Sequence, residues 1–171
     1  MDLKPYIRDI PDFPVPGILF SDITPLLREP KAYAYTVDAL TEHVRALRVD
    51  AIVAVEARGF LFAAPMAMRL GLPFVPVRKP GKLPFAHKSV EVALEYGLAR
   101  LDIHTDALPE GARAVIVDDL LATGGTAAGA ARLVEMLGGQ VAGMAFVIEL
   151  AALGGRALLR PYDVHALVRY D

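Results

Sequence analysis

Apolar residues in this chain fall into short uninterrupted blocks separated by longer amphipathic stretches. Ala51-Ile-Val-Ala-Val55 and Ala114-Val-Ile-Val117 contain no polar position, and Val141 to Leu150 is nearly as apolar. Blocks of that length read as strands buried on both faces. Phe74 to Val77 predicts another short strand, Val90 to Tyr96 a strand-like segment, and Tyr162 to Val168 a last strand. Lys31 to Leu47 predicts the first long helix, with Pro30 at the N1 position that proline suits. A glycine-containing turn at Glu56 to Gly59 leads into a second helix ending near Gly71. A third runs from about Ala127 to Leu137, closed by Gly138 and Gly139. Pro11, Pro14, Pro16 and Gly17 predict an irregular first segment, ordered only if it packs on the body of the domain. Strands alternating with helices predict one doubly wound α/β domain over residues 1–171, its sheet mostly parallel. In such sheets ligands bind beyond the carboxyl ends of the strands.

Composition narrows the class. With 171 residues, 54% of them hydrophobic, the chain can bury a full core. Cysteine is absent, which excludes a disulfide framework and any thiolate nucleophile or metal ligand. The net charge is −2, so no whole-molecule field favours nucleic acid, although a local basic cluster can hold a small anion. The opening MDLKPYIRDIPDFPVPG lacks the apolar run of a signal peptide, and no stretch approaches the ~18 apolar residues of a membrane span. The expectation is a cytoplasmic protein with no nucleic-acid or membrane partner. Thirteen Arg stand against five Lys, Asn is absent and Gln140 is the sole Gln. Depletion of thermolabile amides and a GC-rich genome account for this equally well.

The densest chemical signal is Val115-Ile-Val-Asp-Asp-Leu-Leu-Ala-Thr-Gly-Gly-Thr126. Its apolar residues bury a strand. Asp118 and Asp119 are expected to leave the strand end as adjacent carboxylates, with a turn from Asp118 to Thr126. Two glycines let the backbone approach a ligand closely, and the N–H groups at the start of the next helix favour an anion such as phosphate. Acids at one end and a phosphate cradle at the other suit a sugar phosphate, with Mg²⁺ assisting nearby. A Walker-type loop is excluded because GxxxxGK[ST] is absent, and GxGxxG opens no strand-to-helix turn.

Four further segments precede that string in order: Pro16-Gly-Ile-Leu-Phe-Ser-Asp-Ile-Thr-Pro25, Glu56-Ala-Arg-Gly-Phe-Leu-Phe62, Arg78-Lys-Pro-Gly-Lys-Leu-Pro84 and Leu94-Glu-Tyr-Gly97. The succession resembles the type I phosphoribosyltransferases, with close agreement to those that act on adenine, over nearly the whole chain. The resemblance implies an N-terminal hood over a base site, a homodimer, and Mg²⁺ as cofactor. It implies transfer of the 5-phosphoribosyl group from phosphoribosyl pyrophosphate (PRPP) to adenine, giving AMP and pyrophosphate.

By the same resemblance, Asp118 and Asp119 hold the ribose hydroxyls, while Ala122, Thr123, Gly124, Gly125 and Thr126 bind the 5′-phosphate. Glu56, Ala57, Arg58 and Gly59 match a pyrophosphate loop with a cis peptide between Glu56 and Ala57, and Arg58 faces the leaving group. Arg78 and Lys82, in a basic stretch from Arg78 to Lys88 that reads as a mobile loop, add positive charge for pyrophosphate; Lys79, His87 and Lys88 face solvent. Glu95 matches the proposed general acid/base, a contribution typically worth about 10²–10⁴-fold. Leu19 and Phe20 match the base pocket, where stacking on an aromatic ring is worth roughly 1–3 kcal/mol. No protein group is expected to bind the metal directly, Mg²⁺ being held mainly by PRPP and water. Three positions depart from the pattern: Ser21 where many relatives carry Arg, Ala57 where Ser is usual, and Val92 where Tyr is common. The segment from Phe60 to Met68 is a candidate for either an interface or core. Two alternatives are a 6-oxopurine phosphoribosyltransferase and a PRPP-sensing regulator of the same fold. The first places a lysine downstream of the PRPP motif, and no lysine follows Lys88. The second usually adds a DNA-binding domain, for which 171 residues leave no room.

Overall fold

The computed structural model describes residues 1–94 and 97–171. Two short strands, β1 (Arg8–Pro11) and β2 (Leu19–Asp22), pair antiparallel near the N-terminus. The expected irregular segment is the connection between them, with no helix or strand from Asp12 to Ile18. Pro11, Pro14 and Pro16 are confined to the end of β1 and to the connection, where the Phe13–Pro14 bond is cis. A two-stranded edge tolerates proline at such points because no inner ladder needs its missing N–H. A short helix α1 (Thr24–Arg28) and the long α2 (Pro30–Leu47) follow. The Glu29 side chain caps α2 by accepting a hydrogen bond from the Lys31 N–H.

The apolar blocks then form β3 (Ala51–Val55), α3 (Arg58–Leu70) and β4 (Phe74–Val77); the strands are as expected, and α3 begins two residues inside the expected Glu56–Gly59 turn. The basic stretch that reads as a loop is shorter than expected. Arg78 bridges to Asp102, and His87 and Lys88 already belong to β5 (His87–Leu94). That strand pairs antiparallel with β6 (Gly97–His104) in a long two-stranded ribbon. The chain closes with β7 (Arg113–Leu121), α4 (Gly125–Met136), β8 (Gln140–Leu150), the single turn α5 (Gly155–Leu158) and β9 (Val164–Tyr170).

The main sheet has five parallel strands in the order β4-β3-β7-β8-β9. One face is covered by α2 and α3, whose Leu40, Phe62 and Met66 pack with Val115, Val117 and Val147. The other face is covered by α4 and the ribbon, where Leu133, Val92 and Leu101 pack with Ile116 and Phe146. Coverage of both faces explains why β3 is buried at every position. The architecture is the doubly wound one predicted.

One boundary differs in a way that matters. β7 continues to Leu121, so Asp118 and Asp119 lie on the strand and not in a turn, and α4 begins at Gly125. The strand outlasts its apolar run because β8 pairs with it as far as Leu121↔Glu149. Ladder hydrogen bonds sustain it after hydrophobicity stops.

Candidate active site

The carboxyl ends of the adjacent strands β3 and β7 each feed a helix, and the starts of α3 and α4 both border one cavity of about 230 Å³. Glu56, Ala57 and Arg58 line it from one side, with the Glu56–Ala57 bond cis. Asp118, Asp119 and the run Ala122, Thr123, Gly124, Gly125 and Thr126 line it from the other. Two helix N-termini at one cavity bring unpaired N–H groups and partial positive charge to it, the setting in which phosphate oxygens bind. Gly124, at φ 85°, makes the sharp turn into α4. Gly59 does not line the cavity but permits it: a Cβ there would stand 2.8 Å from the Val117 carbonyl oxygen and 2.9 Å from Asp118 Oδ1. Only a glycine lets α3 lie this close to the acidic pair.

The acids are held under electrostatic tension. Asp118 Oδ1 accepts a hydrogen bond from the Asp119 N–H at 2.9 Å. Burial, and then the charge of Asp119, push the Asp118 carboxyl well above the usual carboxylate range. Burial also raises Asp119, opposed by the Arg58 guanidinium. Arg58 Nε stands 2.9 Å from Asp119 Oδ2, but its N–H does not point along that line. That oxygen, on a side chain 3% exposed, has no hydrogen-bond partner. A buried carboxylate on a residue lining the cavity suits a hydroxyl donor or a hydrated cation once Arg58 moves away.

A second cavity, of about 390 Å³, abuts the first and shares Leu120 and Ala122 with it. Leu19, Phe20 and Ser21 form one wall, so the β1–β2 pair does act as a hood. Leu150, Leu153 and Tyr170 form the opposite wall. Sequence reading missed this wall, because an ordinary apolar strand end and a C-terminal tyrosine carry no local signal. The Arg58 guanidinium lies 5.1 Å from the centre of the Phe20 ring, so one arginine touches elements of both cavities.

Arg78 and Lys82 line neither cavity. Arg78 donates to both carboxylate oxygens of Glu56, at 3.2 and 3.0 Å, and to the Lys82 carbonyl at 3.2 Å. The Arg78 guanidinium beside it holds the Glu56 carboxyl below its ordinary range. Lys82 is exposed. Glu95 lies outside the described residues. Of the three departures, Ser21 is buried on the hood, Ala57 sits on the cis bond, and Val92 is buried beneath the ribbon against α4.

A protein-family model described as the phosphoribosyl transferase domain matches residues 25–165. The adenine phosphoribosyltransferase of Synechococcus sp. is 56% identical over 171 residues, covering 100% of both chains. The crystal structure of adenine phosphoribosyltransferase from Thermoanaerobacter pseudethanolicus matches with a TM-score of 0.95 at 54% identity, over 98% of each chain. The Saccharomyces cerevisiae adenine phosphoribosyltransferase, complexed with an imino-altritol bisphosphate and adenine, matches at 0.91 and 41% identity over 96% of each chain.

Proposed function

This chain belongs to the phosphoribosyl transferase family, in its adenine phosphoribosyltransferase branch, and we propose that it transfers the 5-phosphoribosyl group of PRPP to adenine, giving AMP and pyrophosphate for purine salvage. One observation carries the reading: a polar cavity between two helix N-termini, edged by paired carboxylates, opens beside an apolar cavity walled by Phe20. The first suits a phosphorylated sugar and the second a flat base, and the shared Leu120 and Ala122 stand where C1′ meets the purine.

In this reading the start of α4, from Ala122 to Thr126, binds the 5′-phosphate, and Asp118 and Asp119 accept hydrogen bonds from the ribose hydroxyls. The Glu56–Gly59 loop takes the pyrophosphate, joined by Arg78 and Lys82. Arg58 exchanges Asp119 and Phe20 for the leaving group when PRPP arrives. Adenine stacks on Phe20 while the Leu19 backbone reads its edge, and Glu95 takes the proton the purine nitrogen sheds. The C1′–oxygen bond to pyrophosphate breaks as the C1′–nitrogen bond forms, through an oxocarbenium-like state. Positioning and fixed charge supply most of the rate. A Mg²⁺ ion held mainly by PRPP and water would neutralise charge on the pyrophosphate, and Asp118 and Asp119 would accept hydrogen bonds from its water.

The base cavity also favours adenine over a 6-oxopurine. Among the described residues, no Lys or Arg side chain lines it to donate to O6. Of the three downstream arginines that could replace such a lysine, Arg156 and Arg169 pair with Glu149 and Asp171, and Arg160 does not line the cavity. An adenine edge pairs with a backbone carbonyl and N–H, whereas a 6-oxo edge opposes both at about 1–3 kcal/mol per group. The expected discrimination is on the order of 10²–10³-fold.

The chain acts as one domain over residues 1–171 and as a homodimer. The outer face of α3 supports the latter: Phe62 and Met66 are core, while Leu61 and Met68 are exposed, Met68 at 86%. Light scattering tests the dimer. A cytoplasmic location suits PRPP and AMP, charged molecules that membranes retain, and cell fractionation tests it. The function itself is tested with purified protein, PRPP and Mg²⁺, each nucleobase offered separately. AMP from adenine is expected, and comparable kcat/KM with hypoxanthine would overturn the base assignment.

A further inference from the structure

Behind the start of α4, outside both cavities, the chain makes a second tight turn at Gly154 and Gly155. This turn is pressed against the segment that cradles the anion. A Cβ on Gly155 would lie 2.2 Å from the Ala122 carbonyl oxygen and 2.9 Å from the Gly124 nitrogen. A Cβ on Gly124 would in turn lie 2.8 Å from the Gly155 carbonyl oxygen. The two backbones are in contact with no side chain between them.

The next residue, Arg156, is fixed from three directions. Its Nε and Nη2 donate to the two carboxylate oxygens of Glu149, at 2.9 and 2.6 Å, and its Nη1 donates to the Val164 carbonyl at 2.6 Å. Glu149 lies at the end of β8, directly opposite Leu121, and its side chain is 3% exposed. Val164 begins β9. Arg156 thus ties the 154–155 turn to β8 at Glu149, the level where β7 gives way to the phosphate segment, and to the start of β9 at Val164. A bidentate charge-assisted pair adds geometric specificity as well as strength. The Arg156 guanidinium also holds the Glu149 carboxyl below its ordinary range, so the pair stays ionised at neutral pH.

We infer that Arg156 and Glu149 are positioning residues for the 5′-phosphate: their pair presses Gly155 against Ala122 and Gly124 and so sets the path of the backbone N–H groups that meet the phosphate. The inference rests on the proposed function, which assigns that segment to the 5′-phosphate. Neither side chain touches substrate. Support of this kind matters because a misplacement of about 1 Å, even from a residue far from the chemistry, can lower rates by roughly 10²-fold. Loss of the pair therefore weakens ligands that carry the 5′-phosphate and spares pyrophosphate, which the separate Glu56–Gly59 loop holds.

The test compares wild type with Arg156→Ala, Arg156→Lys and Gly155→Ala, using titration calorimetry with ribose 5-phosphate and with pyrophosphate, and KM for PRPP and adenine. Wild type binding ribose 5-phosphate supports the proposed function; failure of wild type to bind it overturns the assignment of the segment and the inference with it. The expected result is ribose 5-phosphate affinity and PRPP KM worsened about tenfold or more in Arg156→Ala. Arg156→Lys should recover part of the loss, and pyrophosphate affinity should stay within about twofold. Gly155→Ala, which keeps the ion pair but pushes on Ala122, should reproduce the defect and decides the matter if Arg156→Ala does not fold. Unchanged ribose 5-phosphate affinity in the folded variants, or equal losses for both ligands, would overturn the inference.

Discussion

Replacing Asp118 by Asn separates what the acidic pair does for stability from what it does for ligand binding. Asn keeps the Oδ1 acceptor that the Asp119 N–H requires at 2.9 Å, so the local backbone is preserved. What disappears is one of two adjacent charges. Like charges in contact in a partly buried site repel by about 4 kcal/mol. Arg58, 2.9 Å from Asp119, offsets much of this. Burial of the charge adds to the cost, and each ~1 kcal/mol of net relief raises Tm by about 2–4 °C in a chain of this size, so a higher Tm is expected. The pH dependence follows from the direction of the shift. The folded carboxyl titrates above its unfolded value, so between those two values the folded state binds more protons. Stability is therefore lost as pH rises through that window, and the cost is fully present only above the folded value. The stability gain in Asp118→Asn should shrink as pH falls toward the ordinary carboxylate range. PRPP affinity should fall at least about tenfold at pH 7, because a charge-assisted hydrogen bond becomes a neutral one. Calorimetric unfolding across pH and PRPP titration read both quantities. A lower Tm at pH 7, or unchanged PRPP affinity, would refute the reasoning.

Phe20→Ala removes both the stacking platform and the Arg58 contact, and KM for adenine should rise roughly 10-fold or more, with PRPP affinity changed less; an unaltered adenine KM would show that the ring does not carry the base. Lys82→Ala should weaken pyrophosphate inhibition several-fold, because it removes a positive charge whose field reaches Glu56 of the pyrophosphate loop, and leave AMP binding intact, since Lys82 lines neither cavity. Glu95→Gln should lower kcat more than it raises adenine KM, read in single-turnover experiments so that product release does not mask the chemical step; full single-turnover rate would remove Glu95 from proton transfer.

The alternation of apolar blocks with amphipathic stretches was enough to determine the layer architecture. A strand such as Ala51 to Val55 has no polar face to turn toward water and must be covered on both sides. The Asp118–Thr126 string and the Glu56–Gly59 turn were legible for a related reason: adjacent acids, and glycines before a helix, are local arrangements written in consecutive residues. Their convergence on one cavity follows from β3 and β7 being parallel neighbours. Other features depended on contacts between distant segments. Pairing with β8 carried β7 past its apolar run and put Asp118 and Asp119 on a strand. The far wall of the base cavity came from Leu150, Leu153 and Tyr170, and the backing of the phosphate segment from Gly155, Arg156 and Glu149. The partners of Arg58 and Arg78 were likewise chosen in space, one by Asp119 and Phe20, the other by Glu56. A charged side chain takes the opposite charge that the fold brings within reach, and sequence spacing does not encode that distance.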